Sequence, residues 1–167
     1  MKIYHYTSIQ TLALILKSKK MRFNRLDRVD DIEESAYSSG PNNVNLSQYQ
    51  FVSCWTKSSE ENLALWNMYT CYRGVRIGIE SIPFKTYKVN EKLESLIPET
   101  LKLGQDYFAS AFNNPAILHD IKYVENPQDL IKKLVGFTDK GLNYDTLHAG
   151  LYKRKEWAIQ QEASVVS

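Results

Sequence analysis

The chain begins and ends with short β-strand signals, and that pairing constrains its fold more than anything in between. At the start, Lys2-Ile3-Tyr4-His5-Tyr6 reads as a strand. At the close, the charged and aromatic run Lys155-Glu156-Trp157 leads into Gln160-Gln161-Glu162-Ala163-Ser164-Val165-Val166. The β-branched finish of that stretch reads as a second strand. End strands of a chain often meet inside one sheet, so the two ends are expected to be neighbours. Side chains two apart on a strand share a face, which puts Gln160 and Glu162 on the same side. A His on the first strand and a Glu on the last then form a possible clamp for a small molecule.

Thr7 or Ser8 is expected to cap a helix in which Ile9, Leu12, Ile15 and Leu16 recur at helical spacing. Met21 to Phe23 reads as a short strand. Asp27 to Glu34 reads as an acidic turn opening a short helix, and 38–47 as a loop. Tyr49 to Trp55 is an expected strand. Ser58-Ser59-Glu60-Glu61 then reads as the start of a helix carrying Leu65, Trp66 and Tyr69, which Gly74 is expected to break. Val75-Arg76-Ile77-Gly78-Ile79-Glu80 is the clearest alternating strand. Further on, the reading is a short strand at Tyr87 to Val89 and a helix from Leu96 to Phe112. A strand at Ile121 to Val124, a helix from Pro127 to Val135 and a last helix from Asp145 to Lys155 complete it.

Strands and helices interleave without the regularity of βαβ units. No Gly-rich phosphate loop follows a strand, which argues against the doubly wound nucleotide-binding folds. The expected class is α+β, a small and mostly antiparallel sheet with helices around it. The 167 residues suit one domain spanning 1–167, long enough for a sizeable core. A net charge of +2 does not suggest general binding to polyanions, though it leaves room for a local basic groove. No stretch resembles a secretion signal or reaches the length of a membrane span, so a cytoplasmic protein without membrane contact is expected. Cys54 and Cys71 have no metal or redox spacing and read as two reduced, buried thiols. His5, His119 and His148 match no ligand pattern, so no metal site is expected.

Taken singly, His5, the helical neighbours Trp66 and Tyr69, and the tyrosines beside His5 all read as core residues. Glu162 fits a core least well, because an unpaired buried carboxylate is costly. Taken in order, the chain runs Tyr4-His5-Tyr6-Thr7-Ser8, Asp30-Asp31-Ile32-Glu33-Glu34, Ser53-Cys54-Trp55, Leu65-Trp66-Asn67-Met68-Tyr69, Gly74-Val75-Arg76-Ile77, and Trp157-x-x-Gln160-x-Glu162. This order resembles a bacterial domain family of unknown function with an ADP-ribosyltransferase-like fold, found among toxins and anti-phage defence proteins. The resemblance spans essentially the whole chain. It is strongest at the His-Tyr-Thr start, the Leu-Trp-x-x-Tyr helix and the Gly-Val-Arg-Ile strand. Two departures stand out. The family's acidic turn usually reads Asn-Asp-Pro-x-Glu. Its end usually reads Trp-x-x-Glu-x-Glu-x-Arg, where this chain has Gln160 and Ser164 in place of the first Glu and the Arg.

The resemblance implies a split antiparallel sheet and an enzyme that takes NAD as substrate, without a metal. Glu162 would be the catalytic carboxylate, stabilising the positive charge that develops as the nicotinamide–ribose bond breaks. Gln160 would orient the acceptor. His5 would hydrogen-bond a ribose hydroxyl, and Tyr69, Trp55 or Trp66 would stack on nicotinamide. Tyr6, Thr7 and Ser53 complete the implied NAD site. The implied acceptor is a nucleic acid or a protein, with an antitoxin or immunity protein as a possible partner. Water as acceptor, which makes an NAD glycohydrolase, is the alternative enzyme. A degenerate domain that binds a nucleotide or a partner is the non-enzymatic one. The absent Arg at 164 removes a supporting ion pair.

Overall fold

A computed structural model describes residues 1–29, 31, 38–39, 44–80, 83–92, 94–98, 100–105, 107–110, 117–139 and 141–166. Strand β1 (Ile3–Ser8) leads directly into helix α1 (Ile9–Ser18), with the Ser8 hydroxyl accepting from Thr11 N at 3.0 Å as the cap. There follow β2 (Asn24–Arg25), a 3-10 turn over Leu26–Arg28, the pair β3 (Ser38–Ser39) and β4 (Val44–Asn45), and a 3-10 helix over Leu46–Tyr49. The middle of the chain holds β5 (Phe51–Thr56), α2 (Leu63–Thr70), β6 (Gly74–Ile79), β7 (Tyr87–Lys88), β8 (Glu94–Ser95), β9 (Thr100–Leu103) and β10 (Tyr107–Ser110). The remainder is β11 (Leu118–Asp120), β12 (Lys122–Val124), α3 (Gln128–Leu134), β13 (Val135–Thr138), β14 (Gly141–Tyr144), β15 (Tyr152–Arg154), a 3-10 helix over Lys155–Gln160, and β16 (Glu162–Val166).

The class is α+β. An antiparallel six-stranded sheet runs in the order β11-β16-β5-β1-β6, and β2 also pairs with β5. The first and last strands therefore lie in one sheet with β5 between them. The pairings are uneven. β16 meets β5 over five positions, from Glu162↔Thr56 to Val166↔Val52, and β1 meets β6 over six. Between β1 and β5 the ladder has one rung, Tyr4↔Thr56.

Strand alternation gives the sheet two different faces. On one, Val52 and Val166 join a cluster with Leu26, Ile131 and Leu151. On the other, Trp55 and Val165 pack with Ile3, and Phe23, Phe84 and Leu96 lie against them. Burying a side chain of this size contributes about 1.5–3 kcal/mol each.

Several elements differ from the sequence expectation, each for a local reason. The 96–112 helix is not formed by the described residues of that stretch, which build the hairpin β9–β10. Thr100-Leu-Lys-Leu103 alternates at the strand period, and Gly104 turns with φ +76°, a conformation that favours glycine. The 145–155 helix is replaced by a turn and a strand. Asp145 Oδ1 accepts from the backbone N of Leu147 and His148 as a helix cap does, but Gly150 turns with φ +75° before a helix can extend, and β15 then runs parallel to β12. At 21–23 the strand starts later, at Asn24. Of the acidic turn, Asp30 and 32–34 lie outside the described residues, and Asp31 is buried. Helix α2 starts after Asn62, whose Oδ1 accepts from Ala64 N and Leu65 N, and it ends in left-handed Cys71 rather than at Gly74. Gly74 serves close packing instead: a Cβ there would sit 2.3 Å from Thr7 O and 2.5 Å from Thr70 Cβ. Cys71 is exposed and Cys54 half-buried, so the thiols are not both buried.

Candidate active site

Because β1 and β5 share one rung, their edges separate beyond Tyr4, and the gap has to be filled by side chains. His5 reaches across it, with Nδ1 2.8 Å from Cys54 O. A carbonyl only accepts, so Nδ1 carries the hydrogen and Nε2 remains an acceptor. Burial lowers the His5 pKa below its ordinary value. The Cys54 carbonyl bond and the nearby Glu162 charge oppose that shift without cancelling it. The imidazole is therefore neutral near pH 7. The Trp55 ring stands beside it, centroids 5.0 Å apart.

By alternation His5 belongs to the Trp55 face, whereas Tyr4, Thr56 and Glu162 align in register on the other. A narrow cavity of about 20 Å³ at the parted junction touches both sets. Tyr4, His5, Tyr6, Cys54, Trp55, Leu65, Tyr69 and Glu162 line it. Expected site residues His5, Tyr6, Trp55, Tyr69 and Glu162 are thus brought together. Thr7 and Ser53 are buried away from the lining. Ser53 Oγ accepts from Trp55 Nε1 at 3.0 Å and so holds the indole. Trp66 stands edge-on to Tyr6 at 5.0 Å, behind the wall rather than in it.

Glu162 is 5% exposed, and both its oxygens are engaged. Oε1 accepts from the Tyr69 hydroxyl at 2.5 Å, and Oε2 accepts from Lys153 Nζ at 2.6 Å. Tyr69 therefore meets the carboxylate through its hydroxyl, where the resemblance implied a stacking ring. Tyr123 OH accepts from the Glu162 backbone N at 2.9 Å and steadies the strand entry.

Gln160 reaches the same cluster by another route than a shared strand face. It ends the 3-10 helix, and Gln161 turns with φ 49° before β16 begins. Its Oε1 accepts from Lys153 Nζ at 3.3 Å, and its Nε2 lies 3.4 Å from Met68 Sδ. Asn62 anchors this turn by donating to Ile159 O at 2.5 Å and Gln160 O at 3.4 Å. The residue that caps α2, and so sets Tyr69, also fixes the segment that carries Gln160. A second cavity of about 600 Å³ adjoins the first, since Cys54 and Tyr69 line both. Its walls include Asn24, Arg28, Asp31, Lys153, Trp157 and Gln160.

Lys153 is the residue that sequence reasoning missed. It falls within the expected 145–155 helix. In the strand that forms instead, Leu151 and Lys153 are buried, while Tyr152 and Arg154 are not. Lys153 also bears on the missing Arg, because it supplies a cation to Glu162 from β15. At position 164, the serine hydroxyl instead lies 3.8 Å from Cys54 Sγ. Among the described residues, no three His, Cys, Asp or Glu side chains gather as a metal-binding group, and no helix is long and apolar enough to cross a membrane. Comparison with protein-family models, characterised proteins and solved structures gave no match to this chain.

Proposed function

We propose that the chain is an NAD-dependent ADP-ribosyltransferase, with the split antiparallel sheet of that fold and Glu162 as its catalytic carboxylate. The observation that carries this reading is the convergence of His5, Tyr69 and Glu162 from β1, α2 and β16 on one cavity at the one-rung junction.

The nicotinamide–ribose bond breaks through an oxocarbenium-like state, and a fixed carboxylate beside the ribose lowers its energy. Lys153 and Tyr69 hold the Glu162 oxygens in place, and each oxygen retains a lone pair for a ribose hydroxyl. Neutral His5, with Nε2 unprotonated, accepts from a second hydroxyl. Trp55 supplies an aromatic wall. At about 20 Å³ the cavity falls far below the roughly 300–1,000 Å³ of ordinary ligand pockets, so NAD reaches Glu162 only if the walls of the cavity part. The adjoining cavity, with Gln160 and Trp157 in its wall, is the natural seat for an acceptor, nucleic acid or protein. A cytoplasmic toxin or anti-phage role and an antitoxin partner rest on the family resemblance alone.

NAD hydrolysis is the second reading. It is favoured by Gln160 being engaged with Lys153 and Met68 instead of presenting its amide to an acceptor.

Nicotinamide release from NAD by the purified chain tests the first step. Glu162→Gln should slow it on the order of 100-fold, with modest change in NAD affinity. Circular dichroism must report the native fold. A folded variant with native release rate would remove Glu162 from catalysis. Labelled NAD offered with RNA, DNA and lysate separates the two readings. Label on one acceptor fraction means transfer, and free ADP-ribose alone means hydrolysis.

A further inference from the structure

We propose that a groove on the Trp55 face of the sheet docks a partner protein through a segment that carries apolar residues flanked by Asp or Glu. The groove holds about 610 Å³, and Phe23, Phe51 and Phe84 are among the residues of its wall. An open, largely apolar wall of this kind suits a stretch of polypeptide laid along it. Phe51 is 40% exposed in that wall.

The charge around the groove says what kind of segment fits. Lys19, Lys20 and Lys85 line it, and no acidic side chain among the described residues does. None of the three forms an ion pair among the described residues; Lys85 only stands over the Tyr87 ring at 4.8 Å. Three unneutralised cations beside an apolar wall complement a segment of the opposite charge that is apolar along one side. A concave wall also suits a chain better than the flat surface of a bilayer. Lys19 and Lys20 directly follow α1, whose Leu14 and Leu16 are 65% and 57% exposed. The groove is not isolated from the cleft. Phe84 meets Trp55 at 6.2 Å between centroids, and Trp55 meets His5. An occupant therefore touches a ring two contacts from the candidate site, which offers tryptophan fluorescence as a readout. The inference does not depend on NAD chemistry.

Random short peptides displayed on phage and panned on the folded chain test it. Enriched peptides should combine aromatic or aliphatic residues with Asp or Glu, and their synthetic copies should change tryptophan emission on binding. The triple variant Lys19→Glu, Lys20→Glu, Lys85→Glu should weaken binding on the order of tenfold or more. These residues are solvent-exposed, so its circular dichroism should stay native. Enrichment without acidic residues, or equal binding to the folded triple variant, would overturn the proposal. So would a self-association in sedimentation that the triple variant abolishes, because the face would then be taken by a second copy. Pelleting with phosphatidylglycerol vesicles without any selected peptide would assign the face to a lipid surface and equally overturn it.

Discussion

Strand β16 is buried along its length, yet its entry and its other face work by different physics. Glu162 enters a polar cluster in which Lys153, Tyr69 and Gln160 each have a set partner. Three positions on, Val165 packs with Ile3 and Trp55 in an apolar cluster. The polar side draws its energy from geometry, and each group there depends on the others remaining. The apolar side draws its energy from area, and each group contributes nearly independently. A buried ion pair of this kind contributes little net stability against an apolar replacement, but it is expensive to half-remove.

The contrast predicts unequal costs. Lys153→Met should cost about 3–5 kcal/mol in urea unfolding, because it strands the Glu162 charge in a site of low polarity. Adding Glu162→Gln should restore much of that loss. A double variant no more stable than Lys153→Met would mean that the cost came from packing, and the comparison would fail. Val165→Ala, fully buried on the apolar side, should cost about 2 kcal/mol for the methyl groups removed. Combined with Ile131→Val, in the separate apolar cluster, its cost should grow by simple addition, whereas any two members of the polar cluster should not add.

The smallest effect expected is in pH dependence. His5 titrates below its ordinary value in the folded chain, so over that window the unfolded chain binds more protons. The corresponding stability is present above the unfolded His value, about 6.5, and is lost as pH falls towards the lowered folded value. Urea stability should therefore drop between about pH 7.5 and about pH 5.5, and His5→Gln should flatten the slope. Burial also lowers His119, so a residual slope remains in the variant. An identical slope in both proteins would remove His5 from the linkage.

Much of the frame was legible beforehand for reasons that are local. Alternation around Gly74 to Ile79, helical spacing from Ile9, and the β-branched finish at Val165 and Val166 each encode an element within a few residues. The misread stretches were those where local signals compete. In 96–112 good helix formers outnumber the turn signal at Gly104, and in 145–155 the Asp145 cap starts a turn that left-handed Gly150 stops.

The candidate site divides in the same way. Residue chemistry alone marked Glu162 as unlike a core residue, and position near each terminus linked it to His5. The sequence by itself thus determined that Glu162 is unlike a core residue and that the strongly alternating and β-branched segments are strands, since both follow from side-chain type and short-range periodicity. Only the tertiary structure decided that β1 and β5 share a single rung, that the cavity opens there, and that Lys153 from β15 meets Glu162. Register between strands far apart in the chain and the burial of a long cation both depend on how whole elements pack. Neither depends on any window of neighbouring residues.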